Sequence, residues 1–548
     1  MVRMLYVANL SSSSILRKIL SETSSFLTIY VFIIFLLSQK IFAQEPLLPH
    51  PEVDVQAYRF YIELFDSTDQ VSGMTDITFV APPKENLVLD LIQGGNSQLE
   101  GMSVTSVTQN GKFCVFIHEN DQINIRPNKW EDTMTIQVSY HGQPKDGLII
   151  SRNRHQQRTF FGDNWPNRAR NWIPVVDHPL EKALVEFVVS APAHYQVVSN
   201  GQLQRIIDLG EGRRQTSWRT KVPIPSKVAV IGVAQFAREE VSTVAQVPVS
   251  TWVYPEDQKP GFYDYALAAS ILDSLDGFFG PYPFAKLANV QSTTRYGGME
   301  NASCIFYSET SIDGQRGSES LLAHEIVHQW FGNSASEASW YHIWLSEGFA
   351  TYFTGWYLEQ KYGPESLADY LNKARERIIQ FGPLKPVVDS SVTDINALLN
   401  ANSYQKGAWI LHMLRRKLGD ETFRQGIQIY YQRFKFGNAL TQDLQQVMEE
   451  VSGIELDEFF SQWLFRPGHP RLHIDWAYQS AEERLLITVE QKGDPFTFPL
   501  ELEIVGKKDK QIHQFEITGQ RHQFQLRMKE APIQLNPDPG VNLLAEFD

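Results

Sequence analysis

The strongest constraint on the fold of this 548-residue chain is that its hydrophobic period changes twice along its length. Between about Pro51 and about Val247, short stretches alternate apolar and polar residues, as at 57–64 (AYRFYIEL), 133–140 (TMTIQVSY) and 184–189 (LVEFVV). Side chains change face at every residue of a strand, so this pattern predicts half-buried strands. Turn signals such as Gln109-Asn110-Gly111 and Ser199-Asn200-Gly201 separate them. From about Tyr254 the apolar spacing becomes helical, over 261–279, 318–331, 342–361, 364–379, 403–418, 421–434, 440–451 and 455–465. Pro364 suits a first helical turn, and Gly363, Gly419 and Gly453 sit where helices stop. After the break at 466–470 (RPGHP), alternation returns at 472–478, 485–490, 500–505 and 522–528. The expected architecture is multidomain α+β: an N-terminal β-domain at 44–247, a mainly helical domain at 248–468 and a small C-terminal β-sandwich at 469–548.

Ahead of these blocks, residues 26–37 (FLTIYVFIIFLL) form an apolar run, with Arg17 and Lys18 before it and Ala43 after it. Basic start, short apolar middle and small residue at the end describe a secretory signal peptide at 1–43. A comfortable membrane span needs ~20 residues. The alternative is an N-terminal anchor that stays attached. The expectation is therefore an exported protein, periplasmic or secreted, with a membrane contact only if the segment is retained. The formal charge of −14 argues against a nucleic-acid-binding surface. Two cysteines, Cys114 and Cys304, exclude a disulfide scaffold and a cysteine-rich zinc module. One bridge or two buried thiols remain open, the latter favoured. The sequence leaves the oligomeric state unreadable.

The chemistry lies in the helical block. Residues 324–328 read His-Glu-Ile-Val-His. Positions i and i+4 share a helix face, so His324 and His328 can address one metal ion, with Glu325 placed as general base on its water. Taken alone, the pentapeptide also fits two surface histidines. A metal centre needs a third ligand and an open position. Glu347 follows His328 after 18 residues, within Trp344-Leu-Ser-Glu-Gly348, and its apolar neighbours Trp344, Leu345, Phe349 and Tyr352 imply an interior carboxylate that needs a partner. Upstream, Tyr296-Gly-Gly-Met-Glu-Asn301 presents Glu300 beside two permissive glycines, where it can grip a cation such as a peptide's α-ammonium. Otherwise it is an ordinary turn with an exposed acid. The sequon at Asn301-Ala-Ser303 reads as accidental, because a glycan there would obstruct the cleft. Downstream, Tyr404-Gln-Lys-Gly407 offers a hydroxyl that can donate to an oxyanion, or a packing residue at a helix start.

Together, GGMEN, HEIVH, WLSEG with its 18-residue spacer, and YQKG resemble the M1 family of zinc aminopeptidases over about 110 residues, with weaker resemblance from about residue 50 to the end. The resemblance implies an N-terminal β-domain, a thermolysin-like catalytic domain and a β-sandwich. It implies one zinc ion per chain held by His324, His328 and Glu347, with Glu325 as general base and Tyr404 stabilising the tetrahedral intermediate. Glu300 would bind the free amino terminus of a peptide substrate, and Gly297, Gly298 and Met299 would line the cleft through backbone groups. The sequence departs from the family in two respects. Many members carry a further helical domain over the cleft. None follows the last strands here, so the expectation is a more open cleft that admits longer peptides. Many members also supply a Gln or Glu from the N-terminal domain to the substrate amine. Residues 162–174 (GDNWPNRARNWIP) contain neither, which leaves Asp163 or Asn164 as candidates.

Overall fold

The computed structural model describes residues 53–80, 86–94 and 100–548; the expected export segment at 1–43 lies outside them. The N-terminal alternating stretches build one large twisted sheet. Its strands lie in the order Gln202–Gly210, Arg213–Arg219, Lys182–Pro192, Asp54–Glu63, Val71–Val80, Met134–Gln143, Gly101–Gln109 and Lys112–Phe113. Asp54–Glu63 pairs antiparallel with Val71–Val80 and parallel with Lys182–Pro192, which sets Tyr58 beside Ile77 and Val185. The alternation thus becomes a buried face of Tyr58, Phe60, Ile62, Ile77 and Val185.

A four-stranded sheet of Gln196–Ser199, Ile231–Ala234, Arg158–Gly162 and Leu148–Arg152 packs against a five-stranded one. Phe161 of the first meets Phe306 of the second edge to face, with ring centroids 5.3 Å apart. The five-stranded sheet runs Ala237–Val244, Val247–Val253, Leu287–Ser292, Cys304–Ser308 and Gly298–Met299. It modifies the sequence expectation in two ways. The hairpin of Ala237–Val244 and Val247–Val253 joins the sheet that supports the helices, so an expected boundary at 247 falls inside a hairpin. Leu287–Ser292 and Cys304–Ser308 are parallel strands buried on both faces, and such strands carry no alternation to read.

The helices follow: Gln258–Tyr265, Leu267–Phe279, Glu319–Val327, Trp344–Tyr362, Pro364–Phe381, Gly407–Leu418, Asp420–Phe434, Thr441–Ser452 and Asp457–Leu464. Gly419 at φ +82° and Gly453 at φ +68° end two of them in backbone that favours glycine. None of the described helices is long and apolar enough to cross a membrane. The C-terminal strands form a four-stranded and a three-stranded sheet. Leu485, Ile487 and Val489 of one and Leu500, Leu502 and Ile504 of the other are buried in one apolar cluster. Burying each such side chain contributes ~1.5–3 kcal/mol. Cys114 and Cys304 are buried, unpaired thiols.

Candidate active site

The helix Glu319–Val327 carries His324 and Glu325, and His328 caps its end. The chain then turns at Gly332, where φ is +117° and a Cβ would lie 2.3 Å from Ser346 Oγ. That clearance lets the long helix Trp344–Tyr362 return over the first and put Glu347 in its opening turn. His324 Nε2 and His328 Nε2 are 3.1 Å apart, and Glu347 Oε2 lies 3.4 and 3.3 Å from them. Tetrahedral ligands ~2.1 Å from a shared ion stand about 3.4 Å apart, so the spacing suits one small divalent cation. Glu347 Oε2 is buried and makes no hydrogen bond of proper geometry, as an oxygen reserved for an ion would. Behind the site, His328 Nδ1 lies 3.2 Å from Phe331 O and 3.1 Å from Ser346 Oγ, which leaves Nε2 free to ligate.

Charges set the electrostatics. Burial pulls the His328 imidazole down, but the Glu347 carboxylate outweighs it and holds the group up at about 9. Burial raises Glu347, and the two histidines overcome that and hold it far below the carboxylate range. His324, facing less compensation, is lowered by burial. Glu325 is pushed well up by burial, with the neighbouring Glu300 and Glu347 charges adding to it. A carboxylate so placed accepts a proton readily.

Glycines bring the remaining groups close. A Cβ on Gly298 would sit 2.4 Å from Glu325 Oε1, so only glycine lets the Gly298–Met299 strand pass this carboxylate. Gly348 and Gly407, the terminal glycines of WLSEG and YQKG, face each other where two helices cross. A Cβ on Gly348 would be 3.0 Å from Gly407 Cα, and one on Gly407 would be 2.9 Å from Gly348 Cα. This contact seats the π-helical turn Asn402–Lys406 against the metal-site helix, with the Tyr404 ring stacked 6.1 Å from His324. Burial and the Glu347 charge push the Tyr404 phenol well above its usual range, so it stays protonated and able to donate. Gly348→Ala or Gly407→Ala is expected to cost about 1–3 kcal/mol by overpacking. The displaced hydroxyl should lower kcat at least about 10-fold. Thermal melting and steady-state kinetics on the two variants measure both effects.

His324, His328, Glu347, Glu325, Glu300, Tyr404, Gly298 and Met299 all line one cleft of about 80 Å³. Glu300 is 6% exposed, and its backbone carbonyl accepts Gln329 Nε2 at 2.7 Å and Asn333 Nδ2 at 2.6 Å. Its Oε1 is buried without a partner. Gly297 is exposed between the cleft residues Tyr296 and Gly298, and its carbonyl accepts the Ser308 N–H at 2.9 Å. Asp163 and Asn164 also face elsewhere. Asp163 pairs with Arg168, and Asn164 Nδ2 donates to Ser226 O and Ala229 O at 3.1 and 2.6 Å. Their neighbour Trp165 reaches the cleft instead, beside Tyr296 and Leu399. An indole shares none of the polar chemistry that singles out Asp163 and Asn164, and Leu399 belongs to no motif. Asn301 is fully buried, which agrees with an accidental sequon.

Two histidines and a glutamate on paired helices, with an open side and a buried acid beside them, make up the arrangement of a mononuclear metallohydrolase. Residues 263–463 match the peptidase family M1 domain and residues 56–228 the peptidase M1 N-terminal domain, together more than half of the chain. The chain belongs to peptidase family M1. It is 26% identical over 481 residues to probable aminopeptidase 2 of Sulfurisphaera tokodaii, covering 83% of this chain and 59% of that one. It is 29% identical over 351 residues to glutamyl aminopeptidase of Bitis rhinoceros, covering 61% and 36%. Its fold is similar to that of Legionella pneumophila aminopeptidase A, solved in complex with aspartic acid, with a TM-score of 0.78 at 17% identity over 91% of this chain and 60% of that one. The chain therefore spans about three-fifths or less of the length of these proteins.

Proposed function

We propose that this chain is a zinc-dependent aminopeptidase that removes N-terminal residues from peptides. The observation that carries the reading is the unpartnered, buried Glu300 Oε1 in the same cleft as the His324–His328–Glu347 set. A buried carboxylate oxygen without a donor calls for a cation, and a peptide's α-ammonium is the cation that a metallopeptidase cleft meets. The donor set of two imidazoles and one carboxylate suits zinc. When bound, zinc would acidify water and polarise the scissile carbonyl. Glu300 ties the free amine and so fixes which peptide bond lies beside Glu325. Glu325 takes a proton from the attacking water and passes it to the leaving nitrogen. Tyr404 donates a hydrogen bond to the oxygen of the tetrahedral intermediate. We read the helical block as thermolysin-like and the C-terminal sheets as a β-sandwich, in keeping with the family.

Acetylation of the substrate amine tests the reading. An alanyl arylamide is expected to be cleaved and its N-acetyl form to resist; equal cleavage would indicate an endopeptidase. Glu300→Ala should lower kcat/KM for the free amine about 10–100-fold, the worth of a charged contact. The first 43 residues fit an export role, and N-terminal sequencing of the exported protein is expected to begin near Gln44.

A further inference from the structure

We propose that the N-terminal β-domain is part of the substrate-amine site: Lys182 and Lys227 clamp the segment 333–337 and, through Asn333, hold Glu300 in place for an α-ammonium group. The inference rests on the aminopeptidase reading and adds positioning residues to it.

Lys182 opens the strand Lys182–Pro192 of the large N-terminal sheet. Its ammonium has three donors, and all three are spent on backbone carbonyls of the catalytic domain: Asn333 O at 3.2 Å, Ser334 O at 2.8 Å and Gly437 O at 2.6 Å. Burial, with the nearby Lys227 charge, pushes this amine well below the lysine range. An apolar side chain would avoid that cost but would leave the three carbonyls without this donor. Lys227, in the turn Ser226–Val228, is 1% exposed and grips the other end of the same segment through Glu337 at 2.5 Å. Its ammonium also lies 5.3 Å from the centre of the Trp340 ring, which packs edge to face on the cleft residue Trp165 at 5.6 Å.

The clamped segment leads directly to both halves of the site. The Asn333 N–H donates to His328 O at 3.1 Å, which ties it to the histidine-bearing helix. Asn333 Nδ2 donates to Glu300 O at 2.6 Å. Asn333 is fully buried, and it shares the Glu300 carbonyl with Gln329 Nε2 at 2.7 Å. Lys182 therefore acts on the Glu300 backbone through one residue and two hydrogen bonds.

Two ligands separate this role from a general one. Alanine hydroxamate offers both a metal-binding group and an α-ammonium, whereas propionohydroxamate keeps the metal-binding group and lacks the amine. Calorimetric titration of the full-length, zinc-loaded protein reads each affinity. Lys182→Met is expected to weaken alanine hydroxamate at least tenfold and propionohydroxamate less than twofold, at unchanged zinc content. Asn333→Ala breaks the last link while leaving both lysines, carries the same expectation, and serves if Lys182→Met does not fold. Equal weakening of both ligands, or of neither, overturns the clamp. If neither hydroxamate binds the unaltered protein, the aminopeptidase reading fails and the clamp falls with it, a result distinct from loss of selectivity.

Discussion

Glu325→Gln is expected to lower kcat about 10³-fold, within the range for loss of a positioned proton acceptor, while zinc content and melting temperature stay as they were. Glutamine keeps the shape of the side chain, and Gly298 provides the room that shape needs. His324 and His328 are untouched, so the proposed metal site persists. Stability should not fall, because burial already disfavours a charge on Glu325, with Glu300 and Glu347 adding to this against the opposing pull of His328, and the amide has no charge to bury. What the amide cannot do is take a proton from water. Steady-state kinetics with metal analysis decide the matter: near-normal turnover in a zinc-replete variant would place the base elsewhere.

Glu347→Ala should act earlier, on the metal itself. Removing a single outer-sphere partner of a metal ligand costs about 10–100-fold in affinity, and removing the ligand should exceed about 100-fold. The remaining imidazoles, 3.1 Å apart, would hold an ion with no anionic ligand. Turnover should fall to background after dialysis against metal-free buffer. In the unaltered protein a chelator should do the same, with recovery on adding zinc. Equilibrium dialysis provides the direct measurement, and full zinc occupancy in Glu347→Ala would exclude it as a ligand. Without an ion the substitution also removes the carboxylate that holds His328 up at about 9, so the metal-free variant should titrate that imidazole at lower pH. This gives an independent NMR readout of the contact.

The legible part of this protein was local. Four residues on a helix turn through little more than one revolution, so His324 and His328 had to share a face once the segment was helical. Alternation at 57–64 and 184–189 named two strands that the fold pairs side by side, because one face of each is wet and the other dry. Residues 287–292 and 304–308 escaped notice for the opposite reason: both faces are dry, and the code that marks a strand disappears. Residue type and spacing singled out Glu347 and Tyr404 and the resemblance gave them roles, but their approach depends on Gly348 meeting Gly407, a contact between residues 59 positions apart that no period records.

The sequence by itself determined the helices and the half-buried strands, the two-histidine face, and the chemical types gathered near it. Only the tertiary structure decided that Trp165 rather than Asp163 or Asn164 borders the cleft, and that Lys182 reaches the carbonyls of Asn333 and Gly437. The reason is one of range. Backbone hydrogen bonding and solvent exposure impress a period on neighbouring residues, whereas a contact across 151 or 255 positions is set by how whole sheets and helices pack, and it leaves no mark on either stretch alone.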